Sequence, residues 1–355
     1  MMEYKVYKWS DVLTIINGRN QNAVECEDGE YPIYGSGGVM GKANDYLCPP
    51  NCTIIGRKGN INKPIYVETK FWNVDTAFGL SANEEILNPR YLYYFCVDYN
   101  FERHNKAVTI PSLTKADLLK IEMCLPPLDK QKSIVGELDK INELIRLKRE
   151  QLRDYDNLAQ SIFYEMFGDE KYERRKLKNI VKVKSGQVSP LEDPYCDMVH
   201  VGPANIESNT GRLINLKTAK EENLISGKYL FDSSMVLYSK IRPNLNKVTI
   251  ADFEGICSAD MYPLIPSKSI DKKFLLFILK QKEFLSYAIA NSGRANIPKI
   301  NREALLEYST ILPPLSLQLQ FAERLALIEQ QKAEIQNTIA DLETLLASRM
   351  QYWFD

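Results

Sequence analysis

Four places in the sequence carry residue types whose spacing could do chemistry, and each fails on inspection. GSGGVMGKA (35–43) approaches the phosphate-cradling pattern G-x-x-x-x-G-K-[ST]. Ser36 stands where the first glycine belongs, and Ala43 where the Mg²⁺-binding hydroxyl belongs, so a glycine-rich β-turn fits better. VETK (67–70) has the E-x-K of a nuclease core without an acidic residue at the usual short distance before it, and reads as a chance match on a strand edge. Cys48 and Cys52 form one isolated pair, with no second pair to complete a tetrahedral zinc site. NPRY (88–91) is not the Asn-Pro-Pro-aromatic tetrad of an adenine methyltransferase and reads as a helix entry. With two histidines, His104 and His200, acid–base chemistry would fall to carboxylates, and no paired set stands out. Catalysis by this chain is not expected.

Binding chemistry fits better. Reading bases needs forked donors or amides at groove edges, and holding a backbone needs cations. GRKGN (56–60) sets Arg57, Lys58 and Asn60 on a glycine-bounded turn, with Lys63 just beyond; glycine there lets a phosphate approach the backbone closely. SKIRPN (239–244) offers Lys240, Arg242 and Asn244, followed by Lys247. Two further loops precede Ile-Pro pairs: RHNKAVTIP (103–111) with Arg103, Asn105 and Lys106, and SGRANIP (292–298) with Arg294 and Asn296. A solvated turn would read the same at each place. The basic run KYERRKLKNIVKVK (171–184) is either a phosphate contact or a solvated linker.

Those loops recur because the chain is built twice. LPPLDKQ (125–131) and LPPLSLQ (312–318) are 187 residues apart. At that offset Gln131 falls on Gln318, Leu138 on Leu325, Ile141 on Ile328 and Phe167 on Phe354, and TIPSLTKADLL (109–119) lies over NIPKINREALL (296–306). Upstream the offset changes: WSDVLTIING (9–18) matches LKNIVKVKSG (177–186), and IIGRKGNINK (54–63) matches LYSKIRPNLNK (237–247). The matched places of GRKGN and SKIRPN favour a duplicated function over two accidental turns.

Each half is therefore a variable globular part followed by a long periodic segment. Ile134, Leu138, Ile141, Ile145, Leu152, Tyr155, Ala159 and Ile162 keep a 4-3 spacing broken at Lys148; Phe321, Leu325, Ile328, Ile335, Ile339, Leu342 and Leu346 keep the same frame broken at Lys332. That is a coiled-coil seam, entered each time after a Pro-Pro pair. The globular parts mix short strands (CTIIG, PIYV, SMVLYSKI) with helical stretches (88–101 and 271–290), an α+β composition. The cheapest partner for one seam is the other, packed antiparallel. Residues 129–167 would span about 58 Å, so the helix pair could act as a ruler between two readers, or as a scaffold with two ligand-binding domains and no DNA.

The 355 residues are 45% hydrophobic and 26% charged, as in a globular protein with a core, and the net charge of −1 leaves only local basic patches for nucleic acid. No run of 18 apolar residues predicts a membrane span, and MMEYKVYKWS lacks the features of a signal peptide. Seven scattered cysteines do not form a disulfide framework. A cytoplasmic location is expected.

Over essentially its whole length the chain resembles the specificity subunit of type I restriction-modification systems. The two LPPL entries with their glutamines, YPIYGSGGVMGKANDYL (31–47) with TIIGRKGNINKPIYV (53–67), and LYSKIRPNLNKV (237–248) carry the likeness. The resemblance implies two target-recognition domains (1–124 and 169–311), each followed by a coiled-coil helix (125–168 and 312–355), in a pseudo-two-fold repeat. It implies a non-catalytic subunit that binds a split double-stranded DNA target, one half per domain. Two methyltransferase subunits would dock against the helices, joined in restricting systems by motor-nuclease subunits. S-adenosylmethionine would sit on the methyltransferase, with no cofactor on this chain.

Overall fold

The computed structural model describes residues 4–105, 110–168, 172–293 and 296–354. The chain forms two compact units, one of Met1–Gln151 with Ile335–Asp355, the other of Leu152–Glu334. Each holds one α+β domain and part of both long helices.

In the first unit a helical turn, Trp9–Val12, leads into the strand Leu13–Asn17. That strand pairs with Ala77–Ala82, then comes Cys52–Gly56, then Ile65–Val67, every neighbour antiparallel. The second unit repeats the plan. Leu177–Ile180 leads into Val181–Val183, followed across the sheet by Met261–Pro266, Val236–Ser239 and Val248–Thr249 in the same order and sense. Trp9 and Leu177 are both fully buried, which is why these dissimilar segments align. The second sheets differ. The first unit has three strands (Gly38–Ala43, Tyr31–Gly35, Trp72–Asn73), and the second has five (Gln187–Val188, Lys228–Phe231, Gly255–Cys257, Val199–Val201, Lys217–Thr218). GSGGVMGKA is the expected turn: Ser36 and Gly37 join Tyr31–Gly35 to Gly38–Ala43, with Gly38 at φ +123°.

NPRY opens the helix Pro89–Asp98, where the Asn88 side chain caps the Arg90 and Tyr91 amides and proline takes the first turn. The stretch 271–290 is two helices, Lys272–Lys280 and Lys282–Ala290, rather than one. Gln281 is extended at φ −63°, ψ 147°. The Asn246 side-chain amide donates at 3.3 Å to the carbonyl of Lys280, the last residue of the first of these helices.

The long helices run Leu128–Phe167 and Leu315–Phe354, 40 residues each or about 60 Å. Ile134, Leu138, Ile141, Ile145, Ala159, Phe321, Ile328 and Ile335 are buried along the predicted seam. Within the first unit Glu137 pairs with Arg349, and Arg149 with Glu343 at 2.6 Å. Within the second, Asp156 pairs with Lys332 at 2.8 Å while Phe163 meets Phe321 edge-on at 5.7 Å. Residues early in one helix thus meet residues late in the other, the expected antiparallel arrangement. Lys332 breaks the apolar frame without breaking the seam. Burial pulls its pKa down, but Asp156 and Glu329 outweigh that and hold the ammonium above its ordinary range.

The repeated LPPLxxQ stretch has one physical explanation in both units. Gln131 is fully buried; its amide oxygen accepts Asn88 N at 2.8 Å, and its NH₂ donates to Ile86 O at 2.9 Å and Pro126 O at 2.8 Å. Gln318 does the same with Asp271 N (2.8 Å), Ser269 O (3.0 Å) and Pro313 O (2.8 Å). Asn88 and Asp271 are the N-cap residues of the domain helices. The glutamine therefore locks the root of a long helix to the start of a domain helix. Gln131→Ala or Gln318→Ala would leave one amide and two carbonyls buried without partners, and is expected to cost about 3 kcal/mol, measured by urea unfolding.

In the five-stranded sheet His200 is buried, with Nδ1 2.8 Å from Glu222 Oε2 and no partner on Nε2. Burial, helped by the nearby Lys228 ammonium, lowers its pKa below 6.5, and Glu222 offsets this only in part. A depressed folded pKa means the unfolded chain binds the proton more readily, so stability is full above about 6.5 and falls as pH drops below it. His200→Gln should flatten the pH dependence of thermal unfolding between about pH 5 and 7.

Candidate nucleic-acid interface

In each unit the structure brings the two predicted loops together. In the first, Leu113 N donates to Arg57 O at 2.9 Å and Gly59 N to Pro111 O at 3.1 Å, and Lys58 and Ser112 form an isolated β-bridge. In the second, Ile300 N donates to Lys240 O at 3.0 Å and Arg242 N to Pro298 O at 2.7 Å, with a bridge between Ile241 and Lys299. Arg57 is thus the counterpart of Lys240, and Gly59 of Arg242. Both of the latter are left-handed, at φ +77° and +48°. Glycine adopts that conformation without strain; arginine pays about 1 kcal/mol to do so.

The side chains divide into two groups. Arg57, Lys58, Asn60, Lys63, Arg103, Arg242, Asn244 and Asn296 are exposed. Arg57 lies 5.8 Å over the Phe78 ring, with Nη1 3.5 Å from Asp75 O, and Arg103 lies 5.9 Å over the Tyr99 ring. Burial raises the Tyr99 phenol and Arg103 opposes that shift. The others are committed inside the protein. Asn105 accepts Ser112 N at 3.1 Å and donates to Glu102 at 3.0 Å, bracing the loop that carries Pro111. Lys240 Nζ donates to Ala259 O at 2.6 Å and sits 3.6 Å from Asp260, and Lys247 Nζ donates to Pro203 O at 2.7 Å. Lys106 and Arg294 lie outside the described residues.

Sequence reasoning missed one component. The hairpin tip at Ser36 and Gly37 stands beside the cationic turn of the first unit. A β-carbon on Gly59 would lie 4.0 Å from Ser36 Oγ, and one on Gly37 would lie 3.9 Å from the Asn60 amide nitrogen. The two glycine-rich turns were legible separately; nothing in their spacing reported the juxtaposition. Within the basic run 171–184, four cations are paired with carboxylates. Arg174 pairs with Glu283, Arg175 with Glu173, and Lys176 and Lys178 both with Glu307, whose carboxyl their hydrogen bonds hold down to about 2.

A duplicated α+β unit that presents an anchored cationic turn defines a tandem binding module. A family model described as the type I restriction modification DNA specificity domain matches residues 1–154 and 169–344. The chain therefore belongs to the type I restriction-modification specificity subunits, whose part in such systems is DNA sequence recognition. The EcoDI specificity subunit of Escherichia coli is 24% identical over 393 aligned positions, covering 98% of this chain and 87% of that protein. The MjaVIII specificity subunit of Methanocaldococcus jannaschii is 22% identical over 377 positions, covering 92% and 86%. The crystal structure of the S subunit from M. genitalium aligns with a TM-score of 0.62 at 14% identity, over 100% of this chain and 96% of that one. A chain from a structural study of complex assembly and conformational transition in the type I system aligns at 0.57 and 15%, over 98% and 96%. At these identities the structural likeness establishes the fold. Among the described residues no helix is long and apolar enough to cross a membrane.

Arg242 separates a structural role from a binding role. Arg242→Gly relieves the left-handed strain and should keep or raise stability, by up to about 1 kcal/mol in thermal unfolding. Any loss of DNA affinity in this variant then reports the guanidinium and not the fold.

Proposed function

We propose that this chain reads a split DNA target, one half-site per domain, and that the two 40-residue helices set the interval between the half-sites and dock two methyltransferase subunits. Motor-nuclease subunits join them where the system restricts. The chain itself is non-catalytic and binds no cofactor; S-adenosylmethionine belongs to the methyltransferase. The observation that carries this reading is the repeated backbone pairing of a cationic turn with a second loop, at Arg57–Gly59 and at Lys240–Arg242. One such turn is an ordinary surface feature. Two, held by the same hydrogen bonds in domains whose second sheets differ, are expected of two readers with one role and different targets. The family's place in restriction-modification supports DNA as the ligand.

The test is to express the chain with its methyltransferase partner and map N6-methyladenine across the host genome. A single split motif with a fixed gap is expected, and removing two turns from each long helix should change the gap while leaving both half-sites as they were. No added methylation from a complex that has assembled, or half-sites altered at an unaltered gap, would overturn the reading.

A further inference from the structure

Ile110 and Ile297 are 60% and 48% exposed. A lone exposed aliphatic side chain is ordinary; Leu191 and Ile225 are more exposed still, in parts of the second domain without a match in the first. Ile110 and Ile297 differ from these in their placement. They stand at the same register, 187 residues apart, each directly before a proline. Proline disfavours right-handed helical backbone in the residue before it, which narrows where that side chain can be presented. Each proline carbonyl is also tied to the cationic turn, Pro111 O to Gly59 N at 3.1 Å and Pro298 O to Arg242 N at 2.7 Å. An apolar side chain is thus fixed one residue from an anchored cationic loop, in both halves. Phosphates give an isoleucine nothing to contact. Bases do, through the thymine methyl in the major groove and through the faces exposed when a base step is pried open from the minor groove.

We propose that Ile110 and Ile297 are the apolar base-contacting residues of the two domains, each pressing on the bases of its own half-site in duplex DNA. The inference rests on the DNA-reading function above. Arg57 and Lys58 in one half, and Arg242 in the other, hold the backbone by charge, and the isoleucine supplies a contact that depends on base identity.

The test uses the specificity subunit in complex with its methyltransferase, as wild type, Ile110→Ala, Ile297→Ala and the matching leucine variants. The methylated motif is mapped in each. Affinity is measured for a duplex carrying the wild-type motif and for a random-sequence duplex of the same length. Each alanine variant should relax one half-site only, a different half for each, and weaken binding to the motif duplex by about tenfold. Random-duplex affinity and the salt dependence should stay at wild type, because no charge is lost, and the leucine variants should retain most of the wild-type affinity. Loss of wild-type affinity when half-site thymines are replaced by deoxyuridine would assign the contact to a thymine methyl. A 2-aminopurine fluorescence rise seen with wild type and not with the variant would assign it to an opened step. An unchanged motif and affinity in both alanine variants would overturn the inference and leave the DNA-reading function standing. So would equal losses on both duplexes with a lowered melting temperature. A wild-type complex that binds neither duplex and adds no methylation would remove both.

Discussion

A buried glutamine amide at the root of each long helix sets the geometry on which the rest depends. It must accept one hydrogen bond and donate two, and only an amide side chain of that length does so without carrying charge into the core. Asn88 and Asp271 have already spent their side chains capping the next helix, leaving their own backbone N–H groups to be satisfied. Gln131 and Gln318 satisfy them while also holding the carbonyls of Pro126 and Pro313. One side chain thereby ties the direction of the long helix to the domain helix that packs on the four-stranded sheet of its unit.

Beyond that shared clamp, the two copies reach the same packing by different physics. In the first unit the domain helix meets the long helix through a polar network. Tyr94 donates to Asp139 at 2.6 Å, Arg90 reaches the same carboxylate at 2.8 Å, and Asn142 donates to the Tyr94 hydroxyl at 3.1 Å. Burial, reinforced by Asp139, pushes the Tyr94 phenol well above its ordinary range. In the second unit Phe277 takes the place of Tyr94 and packs edge-on against Phe321 at 4.8 Å, with Phe163 at 5.2 Å. The polar contact demands partners in register; the aromatic one tolerates repacking.

Charge is distributed to match. The chain is near neutral overall, and many cations work inside it. Lys240, Lys247 and Lys280 donate to carbonyls, the last to Thr210 O at 2.6 Å, and the basic run 171–184 is seated by Glu173, Glu283 and Glu307. The exposed cations that remain include those around the anchored turns, Arg57, Lys58, Lys63, Arg103 and Arg242, where a small number can act without a globally basic surface.

The sequence by itself determined the duplication, the coiled-coil frame and the composition of both turns, because periodicity and repeated residues are local properties of the chain. Even the Lys332 break was visible as a break. Sequence reasoning could not tell that Asp156 pairs with Lys332, that Asn246 bonds the Lys280 carbonyl where a continuous-looking helix breaks, or that Lys240 and Lys247 face carbonyls while Lys58 and Arg242 face solvent. All of these depend on groups brought together from distant positions. The same holds for the site. Its loops were legible one at a time, but the pairing of residues 57–59 with 111–113, and of 240–242 with 298–300, belongs to the tertiary structure alone, because a hydrogen bond across some 50 residues leaves no mark in the spacing of either partner.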